Sequence, residues 1–206
     1  VFYMGSAALL IMGTLCFICL LYFEKAGIVK YNLYQPPKAQ GQGIKVLIEN
    51  RIIKFTFVSV LTGIVRTAVV FWMPTYLAQY LSFSPQDSGL IFTVATFVIS
   101  SSAFLAVFIY ERLNRKMDLV LFLFFAGSVV SFVGVYLVSA PMMNICLLIL
   151  AILFNNCAAS ILWSVYCPSL RDTGMVSGAT GYLDFMSYMA AAVSSTLFAN
   201  AVSVIG

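Results

Sequence analysis

Histidine is absent from this 206-residue chain. Its absence removes the commonest general base and the commonest metal ligand. Charge is scarce as well: 9% of the residues are Asp, Glu, Lys or Arg, against about 25% in soluble domains. Hydrophobic residues make up 62% and the mean hydropathy is +1.02, a balance that belongs to membrane proteins. No phosphate-binding glycine loop, dinucleotide fingerprint or histidine-based triad occurs. The acidic residues away from Asp184 lie in loops or at helix ends, so a nucleophile and a base at one membrane depth cannot be assembled. No enzymatic activity, cofactor, metal or nucleic-acid partner is expected.

The five cysteines, Cys16, Cys19, Cys146, Cys157 and Cys167, all lie in or beside apolar runs. Cys16 and Cys19 form a CxxC inside an unbroken hydrophobic segment with no second ligand pair. Buried thiols acting as small hydrophobes are the expected reading. The chain opens at Val1 within an apolar run, without the basic region or cleavage site of a signal peptide. A fragment of a longer protein is the expectation.

Apolar runs of about 20 residues or more, long enough to cross a bilayer as helices, recur along the chain. They are expected at Phe2–Phe23, Ile52–Leu81, Gly89–Tyr110, Leu119–Val138, Ile145–Tyr166 and Met175 to about Val204. The fold class expected is thus an all-α polytopic membrane protein with six spans. Between the first two lies a polar segment containing Pro36-Pro37, expected as a loop with an amphipathic stretch at Ile44–Glu49. Ser84-Pro85-Gln86-Asp87 signals a helix start.

The basic residues sort by side. Lys25, Lys30, Lys38, Lys45, Arg51 and Lys54 follow the first span or open the second; Arg112, Arg115 and Lys116 follow the third, and Arg171 the fifth. The turns after the second and fourth spans, and the end of the sixth, hold none. Ten of the eleven lysines and arginines therefore share one side, which by the positive-inside rule is cytoplasmic.

The eleventh is Arg66, deep in the second span. An arginine at the centre of a spanning helix costs ~2.5–3.5 kcal/mol on insertion scales, and such residues face a protein interior or a watery cavity. Asp184 is the other deep charge. From the cytoplasmic ends of their helices the two lie at about 21 and 14 Å, taking 1.5 Å per residue. Three- and four-residue steps place Ser59, Thr62, Gly63 and Arg66 on one stripe of the second span. The same steps collect Ser177, Gly181, Asp184, Tyr188, Ala191 and Ser195 on the sixth, and Asn156, Ser160, Trp163 and Cys167, with Asn155 adjacent, on the fifth. Close helix packing accounts for the small residues of such stripes, but packing does not require a charge. The candidate substrate-binding residues are Arg66, Asp184, Asn156, Asn155, Trp163, Tyr188 and Thr62.

Arg66 is followed six residues later by Trp72-Met73-Pro74-Thr75-Tyr76-Leu77, and Glu111-Arg112-Leu113-Asn114-Arg115-Lys116 forms an acidic-then-basic loop with Val107 and Asn114 at its glycine positions. With the long basic segment before the arginine helix, these features resemble the major facilitator superfamily, and within it the organophosphate:phosphate antiporters. The resemblance covers essentially the whole chain. It implies a piece of a twelve-helix transporter: helix six over 1–23, the cytoplasmic linker over 24–51, and helices seven to eleven over 52–206, the twelfth helix missing. It also implies Arg66 as one of two arginines gripping a substrate phosphate, the other in the remaining N-terminal half. Glycerol-phosphate-type members carry a tyrosine three residues before the arginine and an aspartate before the tryptophan, where this chain has Gly63 and Phe71.

The function so implied is exchange of an organic phosphate or similar small anion for phosphate by alternating access, in a cell membrane, with a bacterial cytoplasmic membrane first. Asp184 would pair with Arg66 in the empty site, or meet a substrate hydroxyl or a proton. Two alternatives stay open: a proton-coupled carboxylate transporter with Asp184 as proton carrier, and a transporter-like receptor for a sugar phosphate.

Overall fold

The computed structural model describes residues 2–27 and 43–205. Every element among them is helical. Most of the expected linker, residues 28–42, lies outside the described residues. The chain divides into two units, Val1–Pro37 and Lys38–Gly206. The first contains α1 (Phe2–Lys25), whose last turn carries Lys25 and which Gly27, at φ 69°, terminates in the left-handed conformation that glycine adopts without penalty.

The second unit opens with α2 (Gly43–Glu49) and turns at Arg51, φ 62°, into α3 (Ile52–Thr75). Pro74 lies inside α3. A proline there withdraws a backbone N–H from the helical ladder, and α3 continues as a π-helical turn over Tyr76–Tyr80. Ser84 caps α4 (Pro85–Ser100), its hydroxyl accepting from the Asp87 N–H at 3.1 Å with Pro85 in the first turn, as the sequence signal predicts. The expected third span is interrupted at Ser101, after which α5 (Ser102–Arg112) resumes. In the Ser100-Ser101-Ser102 run, Ser100 donates to the Thr96 carbonyl and Ser101 to that of Val98, and such bonds compete with the helical ladder.

Between α5 and α6 (Met117–Leu137) the chain turns through Asn114 and Arg115, at φ 53° and 58°. The helix α7 (Pro141–Ile161) passes through a second π-helical turn, Leu162–Tyr166, into the short α8 (Cys167–Ser169). A 3-10 turn over Arg171–Thr173 and Gly174 at φ 70° lead into α9 (Val176–Ile205). Among the described residues, four stretches are long and apolar enough to cross a membrane: Ile52–Tyr80, Pro85–Arg112, Met117–Leu137 and Pro141–Ser169. The helices α1 and α9 have 24 and 30 residues.

Within the second unit α7 is central, packing on α3, α4, α5 and α6, while α9 packs on α3. Small residues sit where helices meet, among them Ala95, Ala106, Ala151, Ala158, Ala179 and Ser59, all fully buried. They let backbones approach closely, the main source of attraction between helices when the solvent is hydrocarbon. Cys157 and Cys167 are buried in this core, whereas Cys16, Cys19 and Cys146 are exposed. The expectation of buried thiols thus holds for two of the five. The other three lie on outward-facing stretches of α1 and α7, where an apolar run continues around the whole helix.

Two tyrosines tie α7 to α3 at opposite ends, each from a π-helical turn two residues from a proline. Tyr76 donates to Asn144 Oδ1 at 2.8 Å, and Asn144 Nδ2 donates to the carbonyls of Val135 and Val138 at the end of α6. Tyr166 donates to the Asn50 carbonyl at 3.0 Å, and its ring stacks on Phe55. The end of α3 thus meets the start of α7 and the reverse, so the two helices run antiparallel. Near Tyr166, Asp118 at the start of α6 pairs with Arg51 and Lys54 at the start of α3. All three are exposed, where such pairs contribute at most ~1 kcal/mol each.

Candidate functional site

The helices α3 and α9 cross where their side chains are smallest. Ser59 Oγ donates to the Leu183 carbonyl at 2.6 Å, and Thr56 and Tyr182 meet through their hydroxyls at 3.4 Å. One turn further on, Gly63 faces Ser187 so closely that a Cβ would meet the serine hydroxyl and would stand 2.6 Å from its carbonyl oxygen. Trp72 and Phe198 form a ring contact beyond. Residue numbers rise together along both helices, so α3 and α9 run parallel and start at the same end.

Arg66 stands at this crossing, about 21 Å along α3 at 1.5 Å per residue. Its side chain is exposed. Nη2 donates to Ser187 Oγ at 3.5 Å, and Cζ lies 5.1 Å from the centroid of the Tyr188 ring. A bond of that length is at the outer limit and orients more than it stabilises. The ring face contributes ~0.5–1 kcal/mol to an exposed cation.

Asp184 is half-buried on α9, one turn before Ser187 and Tyr188. At about 100° per residue, Asp184 and Tyr188 lie on one side of Ser187, while Met186, Ala190 and Val193 lie on the other. The second side borders an apolar cavity of about 350 Å³ shared with Val60 and Ile64 of α3. The α3–α9 pair therefore has a polar side and an apolar side, and Arg66 reaches to the polar one. The expected pairing with Asp184 is not made: among the described residues no ion pair joins the two.

The remaining candidates are dispersed. Thr62 is buried, and its hydroxyl donates to the Val58 and Ser59 carbonyls of its own helix. Asn155 is buried on α7. Asn156 is half-buried and donates to the Ile152 carbonyl at 3.2 Å. Trp163 is half-buried in the second π-helical turn, packed on the core. Among the described residues, no hydrogen bond or ring contact joins Asn155, Asn156 or Trp163 to Arg66.

Ser187 is the contact that the stepping of residues misses. Four residues past Asp184 the stripe reaches Tyr188, and three residues past it reaches Ser187; the two share the guanidinium. The available signal was Ser59-x-x-x-Gly63 on α3, a pair of small residues that calls for a small partner.

Among the described residues, no three side chains of metal-ligating type gather. The site as built is a fixed cation seated on an aromatic face, with the Asp184 carboxylate, which no described residue pairs, half-buried on α9 nearby. No known family model matches the chain, and neither a curated protein nor a solved structure is found that resembles it.

Proposed function

We propose that this chain forms part of a major facilitator transporter that moves an organic phosphate or similar anion by alternating access, in exchange for phosphate. In this reading α1, α3, α4 with α5, α6, α7 and α9 are six spans, and Arg66 binds the anion near the midplane, between this half and an N-terminal half. The parallel run of α3 and α9 supports the orientation, since both then enter from the basic side. Asn114 supports the kinship: its left-handed backbone occupies a position where the superfamily loop carries glycine, and asparagine tolerates that conformation next best.

The observation that carries the reading is Arg66 itself. It is an exposed, permanently charged fork at mid-depth of a membrane-length helix, held by a hydroxyl and an aromatic ring rather than neutralised by an acid. Such a group suits the oxygens of phosphate or carboxylate. An empty carrier holding it is costly to reorient, which favours exchange.

The unpaired carboxylate of Asp184 favours a second reading, in which a carboxylate moves together with a proton. Full-length protein in phosphate-loaded proteoliposomes separates the two. Phosphate exchange inhibited by glycerol phosphate or sugar phosphates is the expected result. Uptake of carboxylates driven by a pH gradient, with no phosphate exchange, would establish the second reading. Binding with no flux of either would indicate a receptor.

A further inference from the structure

Serine and threonine hydroxyls inside helices ordinarily turn back onto the carbonyl four residues earlier. Thr56, Thr62, Thr93, Thr96, Ser100, Ser160 and Thr196 all do so here. Ser187 does not. The carbonyl it would use is that of Leu183, and Leu183 already accepts the Ser59 hydroxyl from α3 at 2.6 Å. The Ser187 oxygen stands clear of that carbonyl and accepts from Arg66 Nη2 at 3.5 Å. Ser187 is 3% exposed, so water does not compete for it. Gly63, the residue one turn before Arg66, leaves the space that the Ser187 hydroxyl occupies, since a Cβ there would collide with it.

From these contacts we infer that Ser187 is the positioning residue for Arg66, and that Ser59 acts through it by occupying the carbonyl that would otherwise capture its hydroxyl. With the Ser59 hydroxyl on the Leu183 carbonyl, the Ser187 side chain is not held back against its own helix, and its oxygen faces α3 as the acceptor for Arg66 Nη2. The guanidinium is thereby steered over Tyr188 with the rest of its fork open to an anion. This rests on Arg66 being the anion-binding group proposed above. It adds that the aim of that group is set by two serines on facing helices, neither of which touches the anion.

The test is exchange of radiolabelled inorganic phosphate by full-length protein in proteoliposomes, with half-saturation and maximal rate measured separately. Ser187→Ala is expected to raise the half-saturating phosphate concentration about fivefold, equivalent to ~1 kcal/mol, with the maximal rate unchanged. Ser59→Ala is expected to raise it about threefold, because the freed Leu183 carbonyl draws the Ser187 hydroxyl away. The double variant is expected to match Ser187→Ala alone, since contacts acting in series do not add. Wild-type half-saturation in Ser187→Ala, or effects of the two substitutions that multiply, would overturn the inference. Thermal midpoints of the variants distinguish loosened packing, which moves them additively, from lost aim, which does not. Near-normal exchange by Arg66→Lys would instead remove the anion-site reading, and this inference with it.

Discussion

Arg66→Lys is expected to lower phosphate exchange in proteoliposomes about a hundredfold while leaving membrane insertion and yield unchanged. The charge is retained, so a site that needed only a positive potential would tolerate the change. What is lost is geometry. The guanidinium carbon stands 5.1 Å over the Tyr188 ring centroid, the group touches Ser187 through one nitrogen, and it still offers paired donors to an oxyanion. An ammonium is a compact point charge that cannot do all three from one position. Loss of a charge-assisted hydrogen bond of this kind is worth ~1.5–3 kcal/mol, and a hundredfold corresponds to the upper part of that range. Exchange within threefold of wild type would remove Arg66 from the site.

The largest effect on stability is expected far from that site, at Asn144. This residue is 2% exposed and makes three bonds: it accepts from the Tyr76 hydroxyl and donates to the carbonyls of Val135 and Val138. Those carbonyls end α6, where the helix itself supplies no donors. Asn144→Leu keeps the branched shape of the side chain and leaves a tyrosine hydroxyl and two carbonyls without their partner. Each orphaned group belongs to a half-buried residue and costs ~1 kcal/mol, the low end of the range for buried groups. In detergent-solubilised protein the thermal midpoint is expected to fall by about 6–12 °C, at the usual 2–4 °C per kcal/mol for chains of this size. Tyr76→Phe strands only one group and is expected to move it by a third as much. Equal midpoints for Asn144→Leu and wild type would show that the α3–α6–α7 junction is held by packing alone.

Helix ends and apolar runs were legible in the residues because both are local. Ser84-Pro85-Asp87 predicts the start of α4, and the cap bonds are formed there. The expected sixth helix, Met175 to about Val204, matches α9 at Val176–Ile205. The break at Ser101 was not foreseen, since an apolar run reads the same whether or not its serines turn onto their own carbonyls. The π-helical turns after Pro74 and before Pro168 escaped for a related reason: a proline signals a lost donor, not how the neighbouring turn accommodates it. Within the site, Arg66 stood out because a lone charge in hydrocarbon always needs an explanation. Thr62 shared its stripe, yet its hydroxyl is used within α3. Ser187 was invisible, because its role depends on a second helix whose neighbour relation no spacing encodes.

Whether water reaches position 66 decides between an anion site and a charge closed off from solvent. In full-length protein with the native cysteines replaced, Arg66→Cys is introduced and treated in intact membranes with a charged, membrane-impermeant thiol reagent. Labelling is expected at this mid-membrane position, and at Tyr188→Cys on the same polar side, where Arg66 is retained and an organic phosphate is expected to slow it. Met186→Cys, on the apolar side of α9, is predicted to stay unlabelled. Failure of the reagent to reach position 66 while it modifies position 186 would contradict the account, because the charge would then face away from any path open to a dissolved anion.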